Sequence, residues 1–441
     1  MDLFLILLLI IAVYFPFAII ALTKFSRISL IIIYLVSVLS GSYLASFGTK
    51  HVHIFFSDFI FLIIGVRCLL DFINSRKKRA DFFSLSIKKD ILLPILFYGI
   101  YIGFGFLSFL LVSTDKIRSL FAMVEITKNL LYLIVFYSFL KDDKRNIDKV
   151  LSWIQLVGIG IALMVIFAGY RFLHQGGDII TLLDPAKNYF VKNEIRFLLG
   201  GNNYLAGLLT LLLPVIASMA FAKRHKSLAW LSLTLAVFGV IITASRGAII
   251  ALISGAFGVL VLTLSLKIFF TLLALFLSIY IAVDYDSLAV FWLRIQHSFQ
   301  TRFMLWQEGS EAFLMKALPF GFGIGMYPTV FNSTSIHNCI LTAYIEMGIV
   351  GGTAFTLALI TIFFKIYRKY LKLRRVKSPS SQLFLGILLS ISVGLVHSMG
   401  EPLMGKHVYD SLFWLLVAIA FAFPVPKSGK LQFRPCLTTT K

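Results

Sequence analysis

The chain has 441 residues, 59% hydrophobic, 15% aromatic and 14% charged, with 41 Lys and Arg against 20 Asp and Glu for a formal net charge of +21. Soluble domains average roughly 45–50% apolar and about 25% charged residues, so this composition excludes one. Its many apolar runs approach the about 20 residues a membrane span requires. A basic balance points to nucleic acid in a soluble protein; here topology accounts for most of it, and no nucleic-acid partner is expected.

Apolar runs fall at about 3–22, 28–46, 53–73, 91–113, 120–140, 150–172, 204–222, 228–244, 248–266, 268–283, 338–364, 383–399 and 411–426. They predict an all-α, polytopic integral membrane protein of about 12–13 transmembrane helices. Met1–Leu22 shows no charged n-region and no small-residue cleavage site, so it reads as a retained first span. Basic clusters at Arg76–Arg79, Lys88–Lys89, Lys141–Lys149, Lys223–Lys226 and Lys365–Lys377 mark the loops of one side, cytoplasmic by the positive-inside rule. Two long segments then lie on the far side, Leu173–Asn203 and Asp284–His337, the second being the one large loop. The organisation expected is 1–203, N-terminal helices with the first far-side loop; 204–426, a transmembrane core including loop 284–337; and 427–441, a cytoplasmic tail. Segment 365–382 reads as a solvated basic linker facing lipid headgroups.

Chemistry-bearing residues gather toward the far side. The stretch from Arg302 through Trp306 and Glu308, with Phe303, Leu305, Phe313 and Leu314, has the pattern of an interfacial helix. Gly321, Gly323 and Gly325 follow Pro319, and such glycines serve either a tight connection or a cradle for phosphate. His337 stands at the start of a long apolar run, where a neutral imidazole is suited to accept a proton or, on the plainer reading, caps a helix. Arg246, in ITASRGAIIALI, marks a tight turn between two spans, and Arg196 precedes another span. Arginine at such a boundary either binds phosphate oxygens through its planar fork or snorkels to headgroups. Glu125 and Lys128, three apart, are expected to neutralise each other inside the bundle, and Arg67 to snorkel or pair. Cys68, Cys339 and Cys436 show no metal or disulfide spacing. The acidic residues near the far side, Glu308, Glu311 and Glu401 among them, are scattered, so metal-independent chemistry without a cofactor is expected.

In order, GNNYLAGLLTLLLP (201–214), ASRGAIIALISG (244–255), RFMLWQEGSEAFLMKALPFGFGIGMY (302–327) and HNCILTAYIEMGIVGG (337–352) resemble the signatures of the O-antigen ligase and polymerase superfamily. The first 200 residues match only in hydropathy. The resemblance implies a glycosyltransferase of the bacterial inner membrane, with the large loop and the site on the periplasmic face. Its donor would be a glycan on undecaprenyl pyrophosphate. The acceptor would be lipid A–core in a ligase, a growing glycan in a polymerase, or a protein Ser or Thr in the related oligosaccharyltransferases. By motif position Arg246 and Arg302 match the pyrophosphate-holding arginines and His337 the essential histidine, while Arg196 is carried as an extra contact. Single displacement without a carboxylate pair predicts inversion. A lipid-linked oligosaccharide flippase is the reading from another class; it should carry its ionisable residues inside the bundle near the bilayer midplane.

Overall fold

The computed structural model of the chain describes residues 18–40, 43–47, 52–74, 89–141, 144–177, 182, 202–222, 226–263, 285–316, 319–331 and 336–425. In chain order the elements are α1 (Arg27–Ser40), β1 (Tyr43–Phe47), β2 (Val52–Phe55), α2 (Phe56–Asn74), α3 (Lys89–Leu111), α4 (Lys116–Leu140) and α5 (Lys144–His174). After these come α6 (Asn202–Phe221), α7 (Lys226–Thr243), α8 (Arg246–Thr263), α9 (Tyr285–Lys316), α10 (Tyr327–Val330), α11 (Cys339–Arg375), α12 (Ser381–Ser398) and α13 (His407–Ala422). Among the described residues, six helical segments are long and apolar enough to cross a membrane: Ile91–Leu111, Lys116–Leu140, Arg145–His174, Asn203–Phe221, Cys339–Arg375 and Ser381–Ser398. Four shorter apolar helices accompany them, Arg27–Val38, Ser227–Thr243, Arg246–Val259 and His407–Ala422.

The apolar runs of the sequence coincide with helices, with these exceptions. Run 268–283 and most of 3–22 lie outside the described residues, as do Arg196 and most of Leu173–Asn203. Run 28–46 does not remain helical: α1 ends at Ser40, and β1 pairs antiparallel with β2, Phe47 opposite Val52 and Tyr43 opposite Phe55. Aromatic and β-branched residues fill this stretch, and a short apolar run of that kind does not distinguish strand from helix. Segment 365–382 is also corrected. Helix α11 continues through Arg375, leaving only 376–380 as the connection to α12.

Every residue of α13 is buried, the pattern of a helix enclosed on all sides. Its 16 residues span about 24 Å at 1.5 Å each, short of the roughly 30 Å hydrocarbon layer. Its C-terminal end is closed by Lys369, whose Nζ donates to the carbonyls of Ala420 and Phe421 at 2.8 and 2.9 Å. Its N-terminal end is the recessed one: Asp410 accepts from Asn129, which lies midway along α4, at 3.0 Å. In the loop 399–406 Glu401 and Leu403 are buried, Leu403 packed on Gly207 of α6, while Met399, Gly405 and Lys406 are exposed. The Gly405 N–H donates to Asp410 at 3.0 Å and ties this loop to the start of α13.

Helix α11 is broken at Gly348 (φ 74°, ψ −175°), leaving an N-terminal half-helix 339–347. No side chain fits at the break: a Cβ on Gly348 would lie 2.2 Å from the carbonyl oxygen of Pro319. Gly321 makes the reciprocal approach, its would-be Cβ 2.3 Å from the carbonyl carbon of Glu346. The glycine run and the kink are therefore one packing unit.

Candidate functional site

Four separated segments meet at Glu401, in the loop between α12 and α13. Arg302 of α9 donates from Nη2 to Glu401 Oε1. His337, just ahead of the half-helix, places Nδ1 at 3.5 Å from Glu401 Oε2. From α8, Gly247 closes the third side: a Cβ there would lie 3.2 Å from Glu401 Cγ and 2.9 Å from His397 Nε2. The fourth segment is the end of α12, which supplies His397. Glu401 is buried, its side chain 4% exposed. Burial opposes its charge, yet the contacts from His337 and Arg302 outweigh that cost and hold its carboxyl below the usual carboxylate range.

The local sequence explains how each group is held. Ser245 Oγ accepts the Ala248 N–H at 3.4 Å, a long N-cap contact that starts α8 at Arg246 directly after the end of α7. Ala244 takes a left-handed φ of 49° to make that turn. On α9, Arg302, Trp306, Gly309 and Phe313 recur at helical spacing along one face. Trp306 Nε1 donates to the Ile336 carbonyl at 2.9 Å, and Gly309 leaves room for the Ile336 side chain, whose Cδ1 would lie 2.5 Å from a Cβ there. Asn338 caps the half-helix, its Oδ1 accepting from the N–H groups of Ile340 and Leu341 at 3.1 and 3.0 Å. Between these two anchors His337 sits at φ 56°. A left-handed φ outside glycine costs energy and persists only where surrounding contacts impose it, which is a recurrent feature of functional sites.

His397 adds an oriented imidazole that the sequence reading passed over. The single hydroxyl hydrogen of Thr210 goes to the Gly207 carbonyl at 3.0 Å, so His397 Nδ1 must be the donor in its 3.0 Å contact with Thr210 Oγ1. Its Nε2, buried and with no hydrogen-bond partner among the described residues, then carries the lone pair.

The structure thus brings Arg302 and His337 onto one carboxylate and sets the Arg246 turn against it. Arg196 lies outside the described residues. Glu401, His397 and Thr210 were missed as site residues. The available signal was the His397–Glu401 spacing of four, across the end of an apolar run.

The glycine segment is a tight connection rather than a ligand cradle. Glu346 accepts the Gly325 and Tyr327 N–H groups at 2.9 and 3.2 Å, so a carboxylate of the chain itself occupies the nest. Its walls are fixed too, since Phe322 N–H donates to the Ile345 carbonyl at 2.8 Å and Ser119 Oγ to Ile324 at 2.6 Å.

A second polar cluster joins α2, α4 and the start of α13. Lys128 pairs with Glu125 at 2.8 Å, as expected, and also with Asp58 at 3.1 Å. His407 Nδ1 lies 3.2 Å from Lys128 Nζ, and its Nε2 is 2.5 Å from Ser57 Oγ. An ammonium only donates, so His407 Nδ1 accepts and Nε2–H faces Ser57. With Asp410 beside Asn129, the cluster sets three carboxylates against one ammonium. Arg67 pairs with Asp71 at 3.2 Å.

The chain has no match among known protein-family models, and no curated protein matches it.

Proposed function

We propose that the chain is a membrane-embedded glycosyltransferase that acts as an O-antigen ligase, moving a glycan from undecaprenyl pyrophosphate to lipid A–core at the periplasmic face. The observation that carries this reading is the convergence of Arg302 and His337 on buried Glu401, beside the turn that bears Arg246. Glycosyl transfer from a pyrophosphate needs stabilisation of the leaving-group charge and removal of the acceptor's proton. Two arginines supply the first without a metal. For the second, Glu401 holds the Nδ1 edge of His337, which leaves Nε2 to take the acceptor hydroxyl's proton. As the acceptor oxygen forms its bond to C1, the bond from C1 to the phosphate oxygen breaks. The pyrophosphate leaves with the electron pair, and the anomeric centre inverts. The twelve-to-thirteen-span topology with a large periplasmic loop belongs to the same proposal.

The second reading, a transporter of lipid-linked oligosaccharide, is favoured by the interior cluster of Asp58, Glu125, Lys128, His407 and Asp410, because such residues mark transport pathways. Purified protein in detergent, where no two compartments exist, separates the readings. Product formed from lipid-pyrophosphate-linked glycan and lipid A–core supports the ligase. Product formed only with a second lipid-linked glycan as acceptor makes it a polymerase. Translocation in sealed vesicles with no product in detergent supports transport.

A further inference from the structure

At the opposite end of the bundle from Glu401, a cavity of about 580 Å³ opens between the C-terminal ends of α6 and α11 and the start of α12. Its walls include Phe221, Arg374, Lys377, Ser378, Ser381 and Gln382. Two helices long and apolar enough to cross a membrane, Asn203–Phe221 and Ser381–Ser398, have their ends at its rim. One wall is aromatic and exposed, with Phe221 edge-on to Trp230 at 5.2 Å, an arrangement suited to the headgroup boundary. The other walls carry two cations and hydroxyl and amide donors. No acidic residue occurs in the sequence between Glu346 and Glu401, and Arg374 is hydrogen-bonded to Tyr370.

The backbone gives an independent reason to read Lys377 as a ligand group. Helix α11 ends in a paired-bond turn, with Lys377 N–H donating to the Arg374 carbonyl and Ser378 N–H to the Leu373 carbonyl, both at 3.0 Å. The residue at that position of the motif takes a left-handed conformation and is usually glycine. Here it is a lysine, at φ 47°. The Lys377 side chain thus lines the cavity from a backbone position that glycine usually fills.

We propose that this cavity binds the phosphate-bearing headgroup of an anionic phospholipid, with Arg374 and Lys377 on the phosphate, the hydroxyls of Ser378 and Ser381 on its remaining oxygens or the glycerol, and Phe221 against the start of the acyl chains. The amphipathic walls select a lipid over a soluble anion. The site stands apart from the proposed transfer chemistry and does not depend on it.

The test uses full-length protein, delipidated in neutral detergent, and titrated with phosphatidylglycerol, phosphatidylcholine or inorganic phosphate, with bound lipid read by native mass spectrometry and stability by thermal midpoint. Phosphatidylglycerol is expected to stay bound and raise the midpoint, and the other two are not. Arg374→Gln and Lys377→Gly should each lower its retention about fivefold, the worth of one cation at a membrane surface. Lys377→Gly is the decisive variant, because glycine relieves the left-handed backbone. Its lipid-free midpoint should hold or rise while lipid retention falls. Equal retention of phosphatidylglycerol and phosphatidylcholine, full retention by folded Lys377→Gly, or an equal effect of inorganic phosphate would each overturn the proposal.

Discussion

Removing Arg302 strips the Glu401 carboxylate, whose side chain is 4% exposed, of its guanidinium. Breaking a buried pair by deleting one partner costs about 3–5 kcal/mol. Arg302→Ala is therefore expected to lower the thermal midpoint of the purified protein as well as its transfer rate, which makes it a poor probe of chemistry alone. Arg302→Lys keeps the charge and loses the fork, so it should spare the midpoint while transfer falls. The direction of the Glu401 shift fixes a pH dependence. Its carboxyl is lowered from 4.5 in the fold, so its contribution to stability is present above that value and is lost as pH falls through the lowered one. An acid titration of the thermal midpoint should show this loss in the wild type, and Glu401→Gln should lack it. From the sequence, Arg302 and His337 were legible as candidates because each carries rare chemistry beside apolar runs. Glu401 was not, since it is one of several acids strung between spans, and only the recessed start of α13 brings its loop to the other residues.

Hydropathy made most helices readable, because period and length suffice for a buried or lipid-facing helix. The break in α11 was unreadable: apart from Glu346 the segment EMGIVGG is apolar or glycine, and nothing in it marks Gly348 as the point that separates the half-helix 339–347 from the span beyond. Its cause is tertiary, in the mutual approach of Gly348 to Pro319 and of Gly321 to Glu346. Gly348→Ala must abandon a backbone region open almost only to glycine, a strain of about 1–3 kcal/mol before any clash. A fall in the denaturation midpoint of that order, with transfer reduced because the half-helix carries His337 at its head, is the expected outcome. Trp306→Phe is a milder perturbation of the same element pair. It removes the indole donor to the Ile336 carbonyl at a cost of about 1–3 kcal/mol for the buried acceptor left behind, and should reduce transfer more than it reduces donor binding.

Across the whole molecule, the proposed orientation has α11 ending at a basic cytoplasmic face and His337 facing the other way. Single cysteines placed at Ser378 and Ser298, in a background without native cysteines, report this through a membrane-impermeant thiol reagent on intact spheroplasts; labelling at Ser298 and protection at Ser378 are expected. The charge pattern was open to reading from the sequence because insertion responds to Lys and Arg in short loops. The packing of α13 in the centre was not, since its apolar composition equals that of a lipid-facing helix. The most direct measurement of the central claim is the transfer rate from lipid-pyrophosphate-linked glycan for the wild type, His337→Gln, Glu401→Gln and the double variant. Expected are transfer by the wild type, a loss on the order of 10²–10⁴-fold for His337→Gln, a smaller loss for Glu401→Gln, and a double variant no worse than His337→Gln, because the carboxylate acts through the imidazole. Multiplying losses in the double variant, or folded His337→Gln protein that transfers at the wild-type rate, would contradict it.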